Sequence, residues 1–560
     1  MTLSTKLGNK KGLIFTGVVI SLILAGCGKA SSNASSESSS AVSHKNQATS
    51  QVLNWTASTE LPTVDSVKEY DVVSQEQIDY LGEGLYKIDS NNNAVPAVAS
   101  GNPVAQNKAK TKYVINIKKG LKWSNGSKLT AQDFVYAWQR LFNPKTAAQN
   151  ASVYYNIKNA EQINLGKKKV SSLGVKALSD TKLEITLERR DPYLKATLSS
   201  ENLFPENEAF VKKAGSKYGT SSKYVLSNGP FVMKDWDGSG TTWHYVKNTK
   251  YHEKNQITLK RINIQVTKNT ATGVNQFQAG KVDNALLSGY YVKQFKNDKR
   301  LKKVLQLRSD NLELGIHSNK KLQNLNFRKA LSLSINRNQL VNDVLTDGSR
   351  AATSIVPKGL VKSPDGKTDL SDATGNLVKY NPTEAKKLWA KAQKELGTKK
   401  ISLDLYVDDS SDGKNVGEYV QGKVQNTLKG VTLNIKQVPA KSRFQKLMSY
   451  KFDTALGGWS GNFDPYTFLQ QFQTGFEHNH GKFSNKQYDN LLDKINGSDL
   501  DNLNTRWQDL IKSQKVLIDQ QATIPLYQPA STYLISSKLK GVVTHNLGTP
   551  LDVTRAYLVK

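Results

Sequence analysis

The chain has 560 residues, one cysteine, 38% apolar residues and a formal charge of +31. That length suits two to four lobes or domains with cores of their own, and a single thiol excludes a disulfide-stapled scaffold. The lysines are dispersed, with no arginine-rich arm and no zinc-finger spacing, so the charge points to anionic headgroups or acidic wall polymers rather than to nucleic acid.

The amino end carries Lys6, Lys10 and Lys11 with no acidic residue, followed by the apolar run Leu13 to Ala25. Thirteen residues are too few to span ~30 Å of hydrocarbon as a stable helix, so the segment reads as an export signal. It ends Leu24-Ala25-Gly26-Cys27, which resembles a bacterial lipobox. The resemblance implies cleavage after residue 26 and a diacylglycerol or acyl lipid on Cys27, with no other cofactor. The alternative is a lone unmodified thiol. Two or more acyl chains give stable membrane anchoring where one does not, which places the protein on the extracellular face of the cell membrane of a Gram-positive bacterium. The formal charge of +31 less the three leader lysines leaves +28. Residues 27–50 are Ser/Ala/Asn-rich without apolar periodicity, a flexible tether reaching ~25–30 Å.

From Val52 the pattern is mixed α/β. Tyr113 to Ile117 and the alternating Lys182 to Leu187 predict strands. Thr130 is placed to cap a helix running through Trp138. Asn326 to Val344 sets Phe327, Ala330, Leu331, Ile335 and Leu340 on one broad face and predicts a helix. Asn381-Pro382 opens another, because proline suits a first turn. Strands are expected at Ile401 to Val407 and Val431 to Val438. No fixed-period repeat is present, which disfavours solenoids and propellers.

Enzyme signatures are missing. The seven histidines show no HExxH spacing, and His478-Asn479-His480, without a carboxylate or cysteine cluster, reads as a solvated loop rather than a metal site. Gly458-Trp459-Ser460-Gly461 fails the nucleophile-elbow pattern at Asn462. There is no P-loop and no dinucleotide fingerprint.

The run Gly120-Leu121-Lys122-Trp123-Ser124-Asn125-Gly126 through Thr130-Ala131-Gln132-Asp133-Phe134 to Trp138 resembles the signature of bacterial extracellular solute-binding protein family 5, the peptide-binding lipoproteins of ABC importers. Gly82-Glu83-Gly84-Leu85-Tyr86, Asn228-Gly229-Pro230-Phe231, Asn326 to Arg337, and Gly458-Trp459 with Asp464-Pro465 are similar to further family segments, in the same order. The resemblance covers about residues 52–560. It implies an α/β, two-lobed periplasmic-binding-protein-like fold of the class with an extra subdomain, joined by hinge strands. Lobe I would comprise 51–72, 198–300 and 528–560, the extra subdomain 73–197, and lobe II 301–527. It also implies a monomer without catalysis that captures oligopeptides and passes them to permease and ATPase subunits.

By the same resemblance, Thr59-Glu60-Leu61 supplies one edge for pairing an extended peptide, Gly458-Trp459-Ser460 the other, and Asn275 lies near the hinge. An ordinary edge strand, a core tryptophan and a surface helix amide are the respective alternatives. Family members commonly carry an aspartate for the peptide's α-ammonium where this chain has Asn462; Asp464 is then either a substitute anchor or a cap for the turn before Pro465. Enteric relatives place an arginine where this chain has Leu456. A peptide pheromone, a nickel chelate or a sugar are alternative ligands, and a basic surface adhesin or a lipoprotein hydrolase are alternative classes.

Overall fold

The structure, a computed structural model, describes residues 46–560. The leader, Cys27 and most of the tether lie outside the described residues.

Lobe I is built on a four-stranded sheet gathered from distant parts of the chain. Val52–Ala57 runs parallel to Arg261–Val266, which is followed by antiparallel Thr242–Lys247 and Phe231–Lys234. Period-two alternation fixes the faces: Leu53, Trp55 and Ala57 point into the core while Val52, Asn54 and Thr56 stay half-buried. A second sheet, from Val104–Ala105, Lys112–Asn116, Lys182–Thr186 and Val175–Ser179, is antiparallel throughout. Helix Ala131–Phe142 covers it. Gln132 N–H donates to Thr130 Oγ1 at 3.3 Å and Thr130 N–H donates to Asp133 Oδ2 at 2.7 Å, a reciprocal cap that starts the helix at the expected residue. Phe134, Trp138 and Leu141 then fall on its buried face, and Trp138 Nε1 donates to Leu203 O at 2.9 Å.

Two of the short motifs clamp each other. Asn228 Nδ2 donates to Glu83 O at 2.8 Å, Glu83 N–H returns a bond to Asn228 Oδ1, and Gly229 N–H donates to Leu81 O. A Cβ on Gly229 would stand 2.7 Å from the Gly82 backbone nitrogen, so only glycine permits this approach.

A three-stranded sheet, Asn284–Leu287, Ala530–Ile535 and Leu301–Leu305, leads into lobe II. The chain crosses once at 306–308 and returns at Pro529; Gln528 Nε2 donates to Gln306 O at 2.9 Å and ties the two crossings together. Lobe II holds six strands in the order Arg350–Ala351, Ile524–Gln528, Ser309–Leu314, Thr454–Trp459, Ile401–Asp408 and Val431–Val438. The last two are parallel and connected by helix Ser411–Thr427. Helix Pro382–Leu396 begins at Asn381, whose side chain accepts from Glu384 N–H, and ends at left-handed Gly397.

The single helix expected from Asn326 to Val344 is two pieces. Helix Leu325–Leu333 stops at Ser334, whose hydroxyl donates to Leu331 O, and Asn336 caps a new start at Arg337. Arg337 fills the break: its buried guanidinium donates to Pro525 O, Ser332 O and Ile335 O.

Candidate functional site

A cavity of about 1150 Å³ lies between the lobes. On the lobe I side it is walled by Ser58–Pro62 and by helix Val72–Leu81; on the lobe II side by residues 439–444, Gly457–Phe463, His478 and His480.

Two backbone edges face this space. Strand Thr454–Trp459 is laddered along its whole length to Ser309–Leu314, but on its other side only Thr454 and Ala455 find partners, Leu405 and Tyr406. Leu456 O is taken by the Arg443 guanidinium, and beyond it Gly457 to Ser460 run along the cavity outside any second ladder. On lobe I, the chain leaves the sheet at Ala57 and continues through Thr59-Glu60-Leu61 outside any ladder. Leu61 turns its side chain into the lobe I core, which leaves its backbone at the wall. Glu60 Oε1 pairs with Lys268 Nζ at 2.7 Å; burial opposes its ionisation, but the Lys268 bond, a backbone bond and the Lys268 charge together outweigh this and hold its carboxyl below the usual range. The Trp459 indole donates to Thr467 O at 2.9 Å and packs 4.9 Å from the His478 ring.

Glu60, Leu61, Gly458, Trp459, Ser460 and Asn462 are therefore brought together around one cavity. The other two expected residues are not. Asn275 sits on the exposed face of helix Thr270–Gln278, away from the cavity wall: a surface helix amide. Asp464 is buried behind the wall, both carboxylate oxygens 2.7 Å from Arg506 Nη2. Its Oδ1 also accepts from Tyr466 N–H at 3.0 Å. A carboxylate engaged in this way caps the turn and anchors Arg506, and cannot also meet a ligand's ammonium. Asn462 Oδ1 accepts from Asp464 N–H at 2.7 Å, so the amide organises the same turn.

The lobes touch through side chains that were not singled out in advance. Lys268 Nζ reaches Asp409 Oδ2 of lobe II at 2.8 Å. Ser152 Oγ donates to Glu477 Oε1 at 2.5 Å, and His478 Nε2 lies 3.0 Å from Gln149 O. Tyr70 stacks on Phe444. The expectation of a solvated loop at His478-Asn479-His480 is overturned: the two histidines are 2% and 6% exposed. Asn479 makes this possible, its amide donating to Gln473 O and Phe483 O and so folding the loop inward. Burial lowers the His478 imidazole to about 4, so both rings are neutral at pH 7.

Glu83, which also lines the cavity, gathers with His252 and Glu253, their donor atoms within 4.8 Å of one another. Lys87 and Arg555 approach the same carboxylates and supply the positive charge there.

Comparison with known proteins places this chain in a family. The model of bacterial extracellular solute-binding proteins, family 5, matches residues 93–479, and the chain belongs to that family. It is 34% identical to a dipeptide-binding protein of Lactococcus lactis over 90% of this chain and 94% of that one. A solved oligopeptide ABC transporter substrate-binding domain from Bacillus anthracis superposes with a TM-score of 0.88 at 37% identity, covering 92% of this chain and all of that one. Listeria monocytogenes OppA, solved bound to peptide, gives 0.87 at 35% identity, with the same coverage. The fold is thus the two-lobed α/β fold of the peptide-binding members.

Proposed function

We propose that this chain captures oligopeptides between its lobes and delivers them to the permease and ATPase subunits of an ABC importer, as a non-enzymatic monomer held on the outer face of the cell membrane by lipid on Cys27. The observation that carries this reading is the pair of unladdered backbone edges, Thr59 to Leu61 and Gly457 to Ser460, on opposite walls of one cavity. An extended peptide would add a strand there, with main-chain bonds indifferent to its side chains. The names of the relatives, dipeptide- and oligopeptide-binding, support the same ligand class. The cross-lobe contacts of Tyr70, Ser152 and Lys268 would then form as the lobes close over the ligand.

Native mass spectrometry of the purified chain is expected to show co-purified peptides, and added peptides are expected to raise its melting temperature by mass action. A chain that carries no peptide, and that no member of a random peptide library stabilises, would overturn the reading.

A further inference from the structure

The protein has a surplus of positive charge, yet the lobe I wall of its cavity is acidic. Helix Val72–Leu81 presents Glu76 and Asp79 to the cavity, and Glu201 joins them from the next turn of the wall. The three carboxyls are half-buried side chains whose surroundings contain no cationic group. Trp55 Nε1 and Tyr80 OH donate to Glu76, Thr549 Oγ1 donates to Asp79 at 2.8 Å, and Asp79 and Glu201 hydrogen-bond to each other, sharing a proton. Asp552 adds a further negative charge beside Asp79. Burial, and for Asp79 the charge of Glu201, pushes all three carboxyls upward, Glu76 to about 7.

One unpartnered group lines the lobe I side of the cavity and a second is buried behind that lining. His545, 8% exposed, lines the cavity with Nδ1 lacking any hydrogen-bond partner, in the turn that also carries Thr549. Glu69, wholly buried and within the field of Glu201 and Asp79, has an Oε2 without a partner. Of the cationic side chains that line the cavity near this wall, Lys87 and Arg555 are paired with Glu83 and Glu253, and Lys441 acts on Asp71, whose carboxylate is already committed to Ser74 as the helix cap.

We infer that this wall is a subsite for a cationic nitrogen of the ligand, a lysine or arginine side chain in the first place, held by Glu76, Asp79 and Glu201. The inference rests on the peptide-capture reading above. A buried set of carboxyls without a counter-ion is unfavourable when the cavity is empty, and a ligand cation supplies the missing charge with charge-assisted hydrogen bonds. On the lobe II wall Arg308 and Arg443 are already paired with Asp310 and Asp408, so the cations of that side are committed within lobe II.

The test is isothermal calorimetry on the intact chain with N-acetylated alanine pentapeptides carrying lysine at each position in turn, their norleucine counterparts, and the all-alanine peptide with free and with acetylated amino terminus. At least one lysine register is expected to bind about ten- to hundredfold more tightly than its norleucine partner. Glu76→Gln with Glu201→Gln should close that gap. A gain confined to the free amino terminus would assign the wall to the α-ammonium. Equal affinity of lysine, norleucine and free-amine peptides would overturn the inference while leaving peptide capture standing. Binding by none of them would remove both. Should the double variant fail to fold, the comparison among peptides on the unsubstituted chain decides alone.

Discussion

The ring of Tyr70 lies flat on the ring of Phe444, 4.5 Å between centroids and 13° between planes, with one residue in each lobe. Both line the cavity, so the stack exists only when the lobes are together. An offset aromatic pair contributes about 0.5–1.5 kcal/mol beyond its buried area. Phe444→Ala should therefore weaken peptide binding by about two- to tenfold and raise the radius of gyration of the liganded protein in small-angle scattering. Unchanged affinity would remove the stack from the closing mechanism.

Asp464 and Arg506 form a buried pair that fixes the turn behind the Trp459 strand. Asp464→Asn leaves the arginine uncompensated and should destabilise the protein by about 3–5 kcal/mol in chemical denaturation. Calorimetry with free and acetylated peptides should give the same ratio of affinities before and after the substitution. A lost preference for free amino termini, with stability intact, would return this carboxylate to the ligand.

Glu313 is buried against Gly457, facing Arg443 and Gln471. Burial pushes its carboxyl up to about 7, against the opposing pull of those two neighbours. The folded-state pKa lies above the unfolded one, so its contribution to stability is whole below about pH 4.3 and is lost as pH rises toward about 7. Glu313→Gln, which does not titrate, should gain on the unsubstituted protein over that window, by about 3 kcal/mol at its upper end. Urea denaturation at pH 5 and pH 8 measures the difference; a gap independent of pH would contradict it.

Cys27→Ala should abolish incorporation of radioactive palmitate and leave the protein either in the medium or as uncleaved precursor. Continued labelling of the variant would remove the lipobox reading.

Where a residue's role is set by its neighbours in sequence, the sequence is readable. Thr130 and Asp133 are three positions apart, and their reciprocal cap follows from that spacing. The walls of the cavity were legible for a different reason: the family resemblance, not any local spacing, places Gly458-Trp459 and Glu60-Leu61 there. Asp464 illustrates the limit. Its partner Arg506 lies 42 positions away, on a helix whose packing nothing near Asp464 encodes. The acidic wall was equally hidden, since Glu76 and Asp79 resemble solvated helix carboxylates until Glu201 is folded against them. The break at Ser334 was missed because five apolar residues kept helical spacing across it, and only the buried Arg337 shows why the backbone turns there.

The strand Ala530–Ile535 sits in the middle of its sheet, between Asn284–Leu287 and Leu301–Leu305. Nearby, Ala48 N–H donates to Leu558 O, so the two ends of the described chain meet in lobe I. Lobe II is one uninterrupted stretch between the two crossings. A chain threaded amino end first therefore holds every strand of lobe II before it holds the central strand of that three-stranded sheet, and Asn284–Leu287 and Leu301–Leu305 must wait with open edges until lobe II has emerged. Assembly of this chain thus ends where it began, and a chain cut short before Ala530 would keep a finished second lobe on an unfinished first.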